Sequence, residues 1–334
     1  MTLVNRRVVL SSRPDGPALA EHFSIQEEQL GELDSGMVRI GVEFISVDAG
    51  TRTMLQGEGF HRQVGVGQTV LATGVGRVLE SADPAWKVGQ AARGRLGAQT
   101  IATVKGTALD AVNDSVGSLS LHLGILGGST GVTAWIGVRD VAKPKPGDVF
   151  VVSAAAGAVG SIAGQIAKLD GASVIGIAGG PTKTAYLVET LGFDAAIDYK
   201  NEDVNTRLKE LAPDGINIFY DNVGGPILDA VLDNLAMRAK VVICGAISQY
   251  DNMDNVVGPS LYLRLAERQS VMEGFAYFHF PESIPKAKAE LADWLEADSI
   301  VTPEHILDGL DRYPEALNFM YTGGNLGKLM VKAG

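Results

Sequence analysis

The sequence predicts an α/β chain in which a compact, barrel-like β domain precedes a doubly wound parallel sheet. Three observations lead there. Strands read at 149–155, 172–178, 193–198, 216–221, 239–244 and 270–275 alternate with helices. That alternation is the pattern of a parallel sheet covered by helices. Within it, Val149–Gly180 reads as strand, glycine turn, helix, strand. Before it, residues 1 to about 125 hold short apolar alternations broken by glycine, with little helical periodicity, which is the texture of a small β barrel.

In the first part, Met37–Ser46, Thr69–Leu79 and Thr100–Lys105 read as strands, and Asp83-Pro84 and Lys87-Val88-Gly89 as turns. Residues 121–139 read as a helix broken at Gly127–Gly131 and resumed over Val132–Arg139. The run Lys143-Pro144-Lys145-Pro146-Gly147-Asp148 is a turn into the first sheet strand, whose continuous apolar character fits burial on both faces. Ile162, Ile166 and Leu169 recur at helical spacing, and Gly171 stands where a helix-terminating glycine belongs. Gly192, Pro213-Asp214-Gly215 and Gly224-Gly225 punctuate the later alternations. A helix is expected over 282–297, another near Pro314–Tyr321, and a last strand over Lys328–Lys332.

The turn Ala154–Gly160 carries the first chemical signal. A glycine turn between a buried strand and a helix places a dinucleotide pyrophosphate on the helix N-terminus. Gly157 lets backbone approach the phosphates, and Gly160 lets the helix pack close to the strand. Ala155 replaces the first glycine of the G-x-G-x-x-G fingerprint, and small residues also serve any tight helix–strand crossing. At the end of the second strand, NAD sites carry an acid for the ribose 2′-hydroxyl. Here that place reads Gly179-Gly180-Pro181, with Lys183 following. A missing acid and a nearby cation fit a 2′-phosphate, hence NADP(H); the plain alternative for Lys183 is a solvated lysine in a first helical turn.

Composition narrows the partners. The net charge is −11 and no basic cluster stands out, which argues against nucleic acid and anionic membrane. The first residues lack an apolar run long enough for a signal peptide, no segment approaches a membrane span, and cytoplasmic residence is expected. Cys244 is the single cysteine, so neither an internal disulfide nor a multi-cysteine zinc site exists. His22, His61, His122, His279 and His305 have no metal-ligand spacing, so no metal is expected.

Further residues carry a family resemblance over nearly the whole chain. They are Gly131-Val132-Thr133-Ala134-Trp135, Ala154–Ser161, Gly164–Leu169, Pro213-Asp214-Gly215, Asp221-Asn222-Val223-Gly224-Gly225, Cys244-Gly245-Ala246-Ile247-Ser248, Met272-Glu273-Gly274-Phe275 and Asn325-Leu326-Gly327-Lys328. With them the chain resembles the zinc-independent medium-chain dehydrogenases/reductases, among them the leukotriene/prostaglandin reductases and alkenal double-bond reductases. The resemblance implies a GroES-like β-barrel domain (1–128 and 300–334) and a Rossmann domain (129–299), with the active site in the cleft between them. It implies NADPH as hydride donor. Gly157, Ala158, Val159 and Gly160 would cradle the pyrophosphate, and Gly179, Lys183, Tyr199 and Asn325 would surround the adenosine ribose and its 2′-phosphate. Thr133, Asn222, the loop Cys244, Gly245, Ala246, Ile247, Ser248, Tyr250, and Phe275, Ala276 and Tyr277 would line the diphosphate and nicotinamide parts.

Each of these has a plain alternative: Asn222 as a helix cap, Tyr199 as a strand-end aromatic, Cys244 as a small core residue. The activity implied is reduction of the C=C bond of an α,β-unsaturated ketone or aldehyde. Tyr262 is the candidate hydroxyl for the developing enolate, or else packs its helix in a stripe with Leu265 and Gln269. An NADPH:quinone reductase and a non-catalytic NADP-binding redox sensor stand as alternatives. A homodimer is expected, because the aromatic run Phe275–Phe280 follows the last sheet strand and the family pairs its sheets near that edge. The departures lie in the substrate half: Asp48-Ala49-Gly50 lacks the tyrosine of the family's Asp-Pro-Tyr, Trp135 stands where tyrosine is common, and Ser46-Val47-Asp48 replaces the zinc cysteine of the related alcohol dehydrogenases.

Overall fold

The computed structural model describes residues 3–57, 62–251 and 253–334. The chain divides into two compact units. One comprises Met1–Leu123, Glu304–Asn325 and Leu329–Gly334; the other comprises Gly124–Pro303 and Leu326–Lys328.

The first unit contains β1 (Val4–Leu10), β2 (Phe23–Gln29), β3 (Met37–Ser46), the short helix α1 (Gly50–Thr53), β4 (Gly74–Ser81), β5 (Ala91–Gly94), β6 (Ile101–Lys105) and β7 (Leu109–Ala111). In the second unit come α2 (Thr133–Ile136), β8 (Val149–Ser153), α3 (Ala158–Leu169), β9 (Ser173–Ala178), α4 (Pro181–Glu189), β10 (Ala195–Asp198) and α5 (Val204–Leu211). They are followed there by β11 (Ile216–Asp221), α6 (Gly225–Leu232), β12 (Leu235–Ile243), α7 (Leu263–Glu267), β13 (Val271–Gly274) and α8 (Ile284–Glu296). The chain ends with β14 (Glu304–Asp308), α9 (Tyr313–Tyr321) and β15 (Lys328–Lys332).

β3 organises the first unit. It pairs antiparallel with β4, β6 and β15, in a sheet ordered β14-β15-β3-β4-β5-β7 with β6 on β3. Val38, Ile40, Val42 and Ile45 of β3 are buried with Tyr313, Ala316 and Leu317 of α9. The strand expected over Thr69–Leu79 begins at Gly74, because the backbone of Thr69 and Val70 pairs with β1 instead: Val70 N–H donates to the Val8 carbonyl at 2.9 Å.

The second unit is a six-stranded parallel sheet in the order β10-β9-β8-β11-β12-β13. Its middle is apolar on both faces: Phe150, Val151, Val152, Ile177, Phe219 and Val241 are fully buried. Strand order reverses between β8 and β11, the place where a doubly wound sheet opens for a ligand at its carboxyl ends.

Two expected boundaries move. β12 begins at Leu235, four residues before the expected 239, with its register shifted between Ile216 and Ile218 and Arg238 at φ +60°. Gly127–Gly131 does not break a helix. A separate 3₁₀ turn covers Leu119–His122, and the helical run Gly128–Ala142 starts inside the glycine segment. Its two ends are wound with i→i+5 bonds, Val132 N–H to Gly127 O at 3.1 Å and Lys143 N–H to Val138 O at 2.7 Å. A β-carbon on Gly131 would lie 1.7 Å from the Ile125 carbonyl oxygen, so the glycine is there for close approach.

Candidate functional site

The glycine turn lies at the carboxyl end of β8. Ala154 takes φ +47°, its carbonyl accepts the Gly157 N–H at 2.9 Å, and α3 starts at Ala158. A β-carbon on Gly160 would lie 2.4 Å from the Ala154 oxygen and 3.0 Å from the Ala155 Cα, which is why the helix comes so close to the strand. A β-carbon on Gly157 would meet only Ala154 within 4 Å, so its outer side is open. The first amide groups of α3, at Ala158, Val159 and Gly160, have no carbonyl inside their helix to bond. Gly327 pairs with the turn through its N–H on the Ala156 carbonyl at 2.8 Å.

The end of β9 is the second part. Gly180 precedes α4 at φ +94°, and Lys183 sits half-buried in that helix's first turn. Burial lowers the Lys183 ammonium pKa, and the Lys200 charge lowers it further. A β-carbon on Gly179 would lie 2.9 Å from Lys200 Cε and 2.9 Å from the Tyr199 ring, so both side chains lean over the glycine. Two side chains matter here that sequence reasoning missed. Lys200 adjoins a residue already singled out. Asp198, buried at the end of β10, accepts the Gly180 N–H at 2.7 Å, the Lys200 N–H at 3.1 Å and Asn201 Nδ2 at 2.7 Å. The Gly180 amide, with the other donors, holds its carboxyl below the ordinary range.

The third part spans the strand ends at the switch point. Buried Ser153 donates its hydroxyl to Asp221 at 2.8 Å and accepts the Asn222 N–H at 2.8 Å. Asn222 does not cap α6: its amide nitrogen donates to the Ser153 carbonyl at 2.8 Å. The buried Asp221 carboxylate takes the Val223 and Gly224 N–H groups leading into that helix, at 2.9 and 3.0 Å. Burial raises the Asp221 pKa against those donors. Cys244 follows β12, and burial pushes its thiol up to about 12, with the Tyr220 hydroxyl pulling down and Asp221 adding upward. Its loop folds back on itself, the Ala246 N–H donating to the Tyr250 hydroxyl at 3.1 Å and Ser248 Oγ to the Val223 carbonyl at 2.6 Å. Ile247 starts a short helical turn there.

Beyond β13, Phe275 stacks edge-on to Tyr220 at 6.3 Å, Ala276 is half-buried, and the Tyr277 ring covers Gly128, whose β-carbon would lie 2.7 Å from it. Thr133 ties into the same wall: its hydroxyl donates to the Gly128 carbonyl at 2.7 Å and its carbonyl accepts the Tyr220 hydroxyl at 3.2 Å. The second unit thus brings together every candidate cofactor residue except Asn325, which is buried and belongs to the first unit.

Tyr262 is 58% exposed just ahead of α7. The packing stripe expected for it is not formed: Leu261 and Leu265 pack on the core, whereas Tyr262 and Gln269 face solvent. Trp135 is buried, its indole N–H donating to Glu290 at 3.0 Å on α8. In the first unit, Ser46 Oγ donates to Asp48 at 2.7 Å, and the Tyr321 hydroxyl to the Ala49 carbonyl at 2.6 Å. His22 and His122 bond backbone, His279 and His305 lie against phenylalanine rings, and His61 falls outside the described residues. Among the described residues no group of three His, Cys, Asp or Glu side chains is placed to hold a metal.

This arrangement has known counterparts. Residues 158–297 match the family described as zinc-binding dehydrogenase, and residues 6–112 match the N-terminal domain of oxidoreductase. The chain belongs to the medium-chain dehydrogenase/reductase superfamily, within its zinc-independent reductases. It is 34% identical to the NADPH-dependent curcumin reductase of Escherichia coli, over 98% of this chain and 96% of that one. It is 38% identical to the NADP-dependent 2-alkenal reductase of Nicotiana tabacum, over 79% and 77%. The crystal structure of CurA from Vibrio vulnificus in complex with NADPH superposes with a TM-score of 0.93 at 33% identity, covering 98% and 99%.

Proposed function

We propose that the protein uses NADPH to reduce the C=C bond of α,β-unsaturated ketones or aldehydes without a metal. The observation that carries the cofactor is the end of β9, where an acid-free glycine pair is flanked by Lys183 and Lys200. These residues fit the group: an open turn backed by free helix amides suits a pyrophosphate, and two lysines beside a strand tip that carries no acid of its own suit a 2′-phosphate. The substrate class rests on the relatives, since a 2-alkenal is an α,β-unsaturated aldehyde.

When bound, NADPH supplies hydride to the β-carbon of the conjugated system. The chain's own part is to meet the negative charge that develops on the substrate's carbonyl oxygen. Tyr262 serves as hydrogen-bond donor to that oxygen, and a proton reaches the α-carbon from a side chain or water. The molecule works as a cytoplasmic homodimer.

The test is a panel following NADPH loss against simple enones, enals and quinones, before and after exhaustive chelation. Fastest turnover on enones or enals, unchanged by chelation, is expected. Fastest turnover on quinones would replace this reading with a quinone reductase. NADPH binding without turnover on any of them would leave a cofactor-binding sensor.

A further inference from the structure

We infer that the 2′-phosphate is gripped by two lysines rather than one, Lys183 and Lys200, and that the buried carboxylate of Asp198 is the positioning residue that sets them. The inference rests on the NADP reading and deepens it.

An NAD site keeps a carboxylate at the tip of its second strand, free to accept the ribose hydroxyls. Here that tip is Gly179, and the nearest carboxylate, Asp198, lies on the neighbouring strand β10 with its oxygens turned to the protein. One oxygen holds the Gly180 and Lys200 amides at 2.7 and 3.1 Å, and the other holds Asn201 Nδ2 at 2.7 Å. Its own N–H is bonded to Glu202 at 2.7 Å. Asp198 therefore joins the two loops that carry the cations. It anchors Gly180, whose φ of +94° launches α4 and with it Lys183, and it anchors the backbone of Lys200.

The two lysines come from different elements, and the Lys200 charge is felt at Lys183. Lys183 rises from the first turn of α4, and Lys200 reaches across Gly179, within 2.9 Å of where a β-carbon would stand. Neither side chain makes an ion pair within 4 Å among the described residues. Burial lowers the Lys183 pKa first and the Lys200 charge lowers it further, so the two lysines lie near enough to act on one another. A phosphate dianion meeting both gains two charge-assisted contacts, whereas a bare ribose hydroxyl gains neither.

Calorimetry with cofactor fragments tests this without catalysis. Wild-type protein should bind adenosine 2′,5′-bisphosphate well and adenosine 5′-monophosphate weakly. Lys200→Met should weaken the bisphosphate about 10- to 100-fold, the range for losing a hydrogen bond to a charged group, and leave the monophosphate unchanged. Lys200→Arg should recover part of the loss. Asp198→Asn should weaken the bisphosphate selectively too, while far-ultraviolet circular dichroism stays as in the wild type. A Lys200→Met protein that binds the bisphosphate like wild type overturns the two-lysine grip. Equal loss of both ligands in Asp198→Asn overturns its positioning role. A wild type that binds both fragments alike defeats the NADP reading itself, a result distinct from either.

Discussion

Tyr262 and Cys244 show how little residue type alone says about role. The Tyr262 hydroxyl has no partner among the described residues, and its ring contributes little to the core. Tyr262→Phe should therefore leave folding and NADPH affinity unchanged. If the hydroxyl meets the developing enolate, turnover on the best enone falls about 10²–10³-fold, the usual cost of one such donor. Wild-type turnover in the Phe variant would end its candidacy. Cys244 is the opposite case. With its thiol pushed up to about 12, only about one molecule in 10⁴ is thiolate at pH 8. Iodoacetamide at pH 8 should modify the native protein far more slowly than the unfolded chain, as followed by mass spectrometry. Lys183→Ala, by contrast, should raise the KM for NADPH much more than that for NADH if Lys183 meets the 2′-phosphate, and equal changes in both would remove it from that role.

At the scale of elements, the glycine turn makes the strongest demand on geometry. Gly160→Ala would push a methyl group into the Ala154 carbonyl, so α3 must lift from β8. That should cost about 1–3 kcal/mol, as overpacking does, and weaken NADPH binding with it. A denaturant midpoint and a cofactor titration on one sample check both; an unchanged midpoint would show that the helix–strand crossing tolerates a methyl group. The same elements show what was legible in sequence. β8 and β9 announce themselves as apolar runs, and Gly157, Gly160 and Gly179 by spacing. Less visible were features created by tertiary contact. Gly131 looks like a helix breaker until the Ile125 carbonyl is seen against it. Asn222 looks like a cap, but Asp221 holds the amides leading into α6 and Asn222 turns to Ser153. Asp198 carries no local signal, since its partners lie up to 18 residues away.

For the whole molecule, the question is what covers the edges of the parallel sheet. At one edge, β10 is shielded: Ile197 is fully buried and Asp198 nearly so. At the other, β13 pairs only with β12 among the described residues, with Val271 47% exposed. Leu263, just after Tyr262, and Phe278, beyond the strand, add further exposed apolar surface at 63% and 54%. An uncovered strand edge with apolar neighbours invites further pairing, and soluble chains seldom leave such surface bare. A second copy related by a two-fold axis would cover both edges at once and close the assembly, whereas a head-to-tail contact would leave one edge open. A net charge of −11 would oppose growth beyond such a closed pair. Light scattering should thus report a dimer at micromolar concentration. Val271→Lys combined with Phe278→Lys places four like charges across the two-fold contact, two from each copy, and should yield monomers that still bind NADPH, because neither side chain belongs to the glycine turn or the lysine pair. A wild-type monomer at that concentration, or a double variant that stays dimeric, would move the contact away from β13.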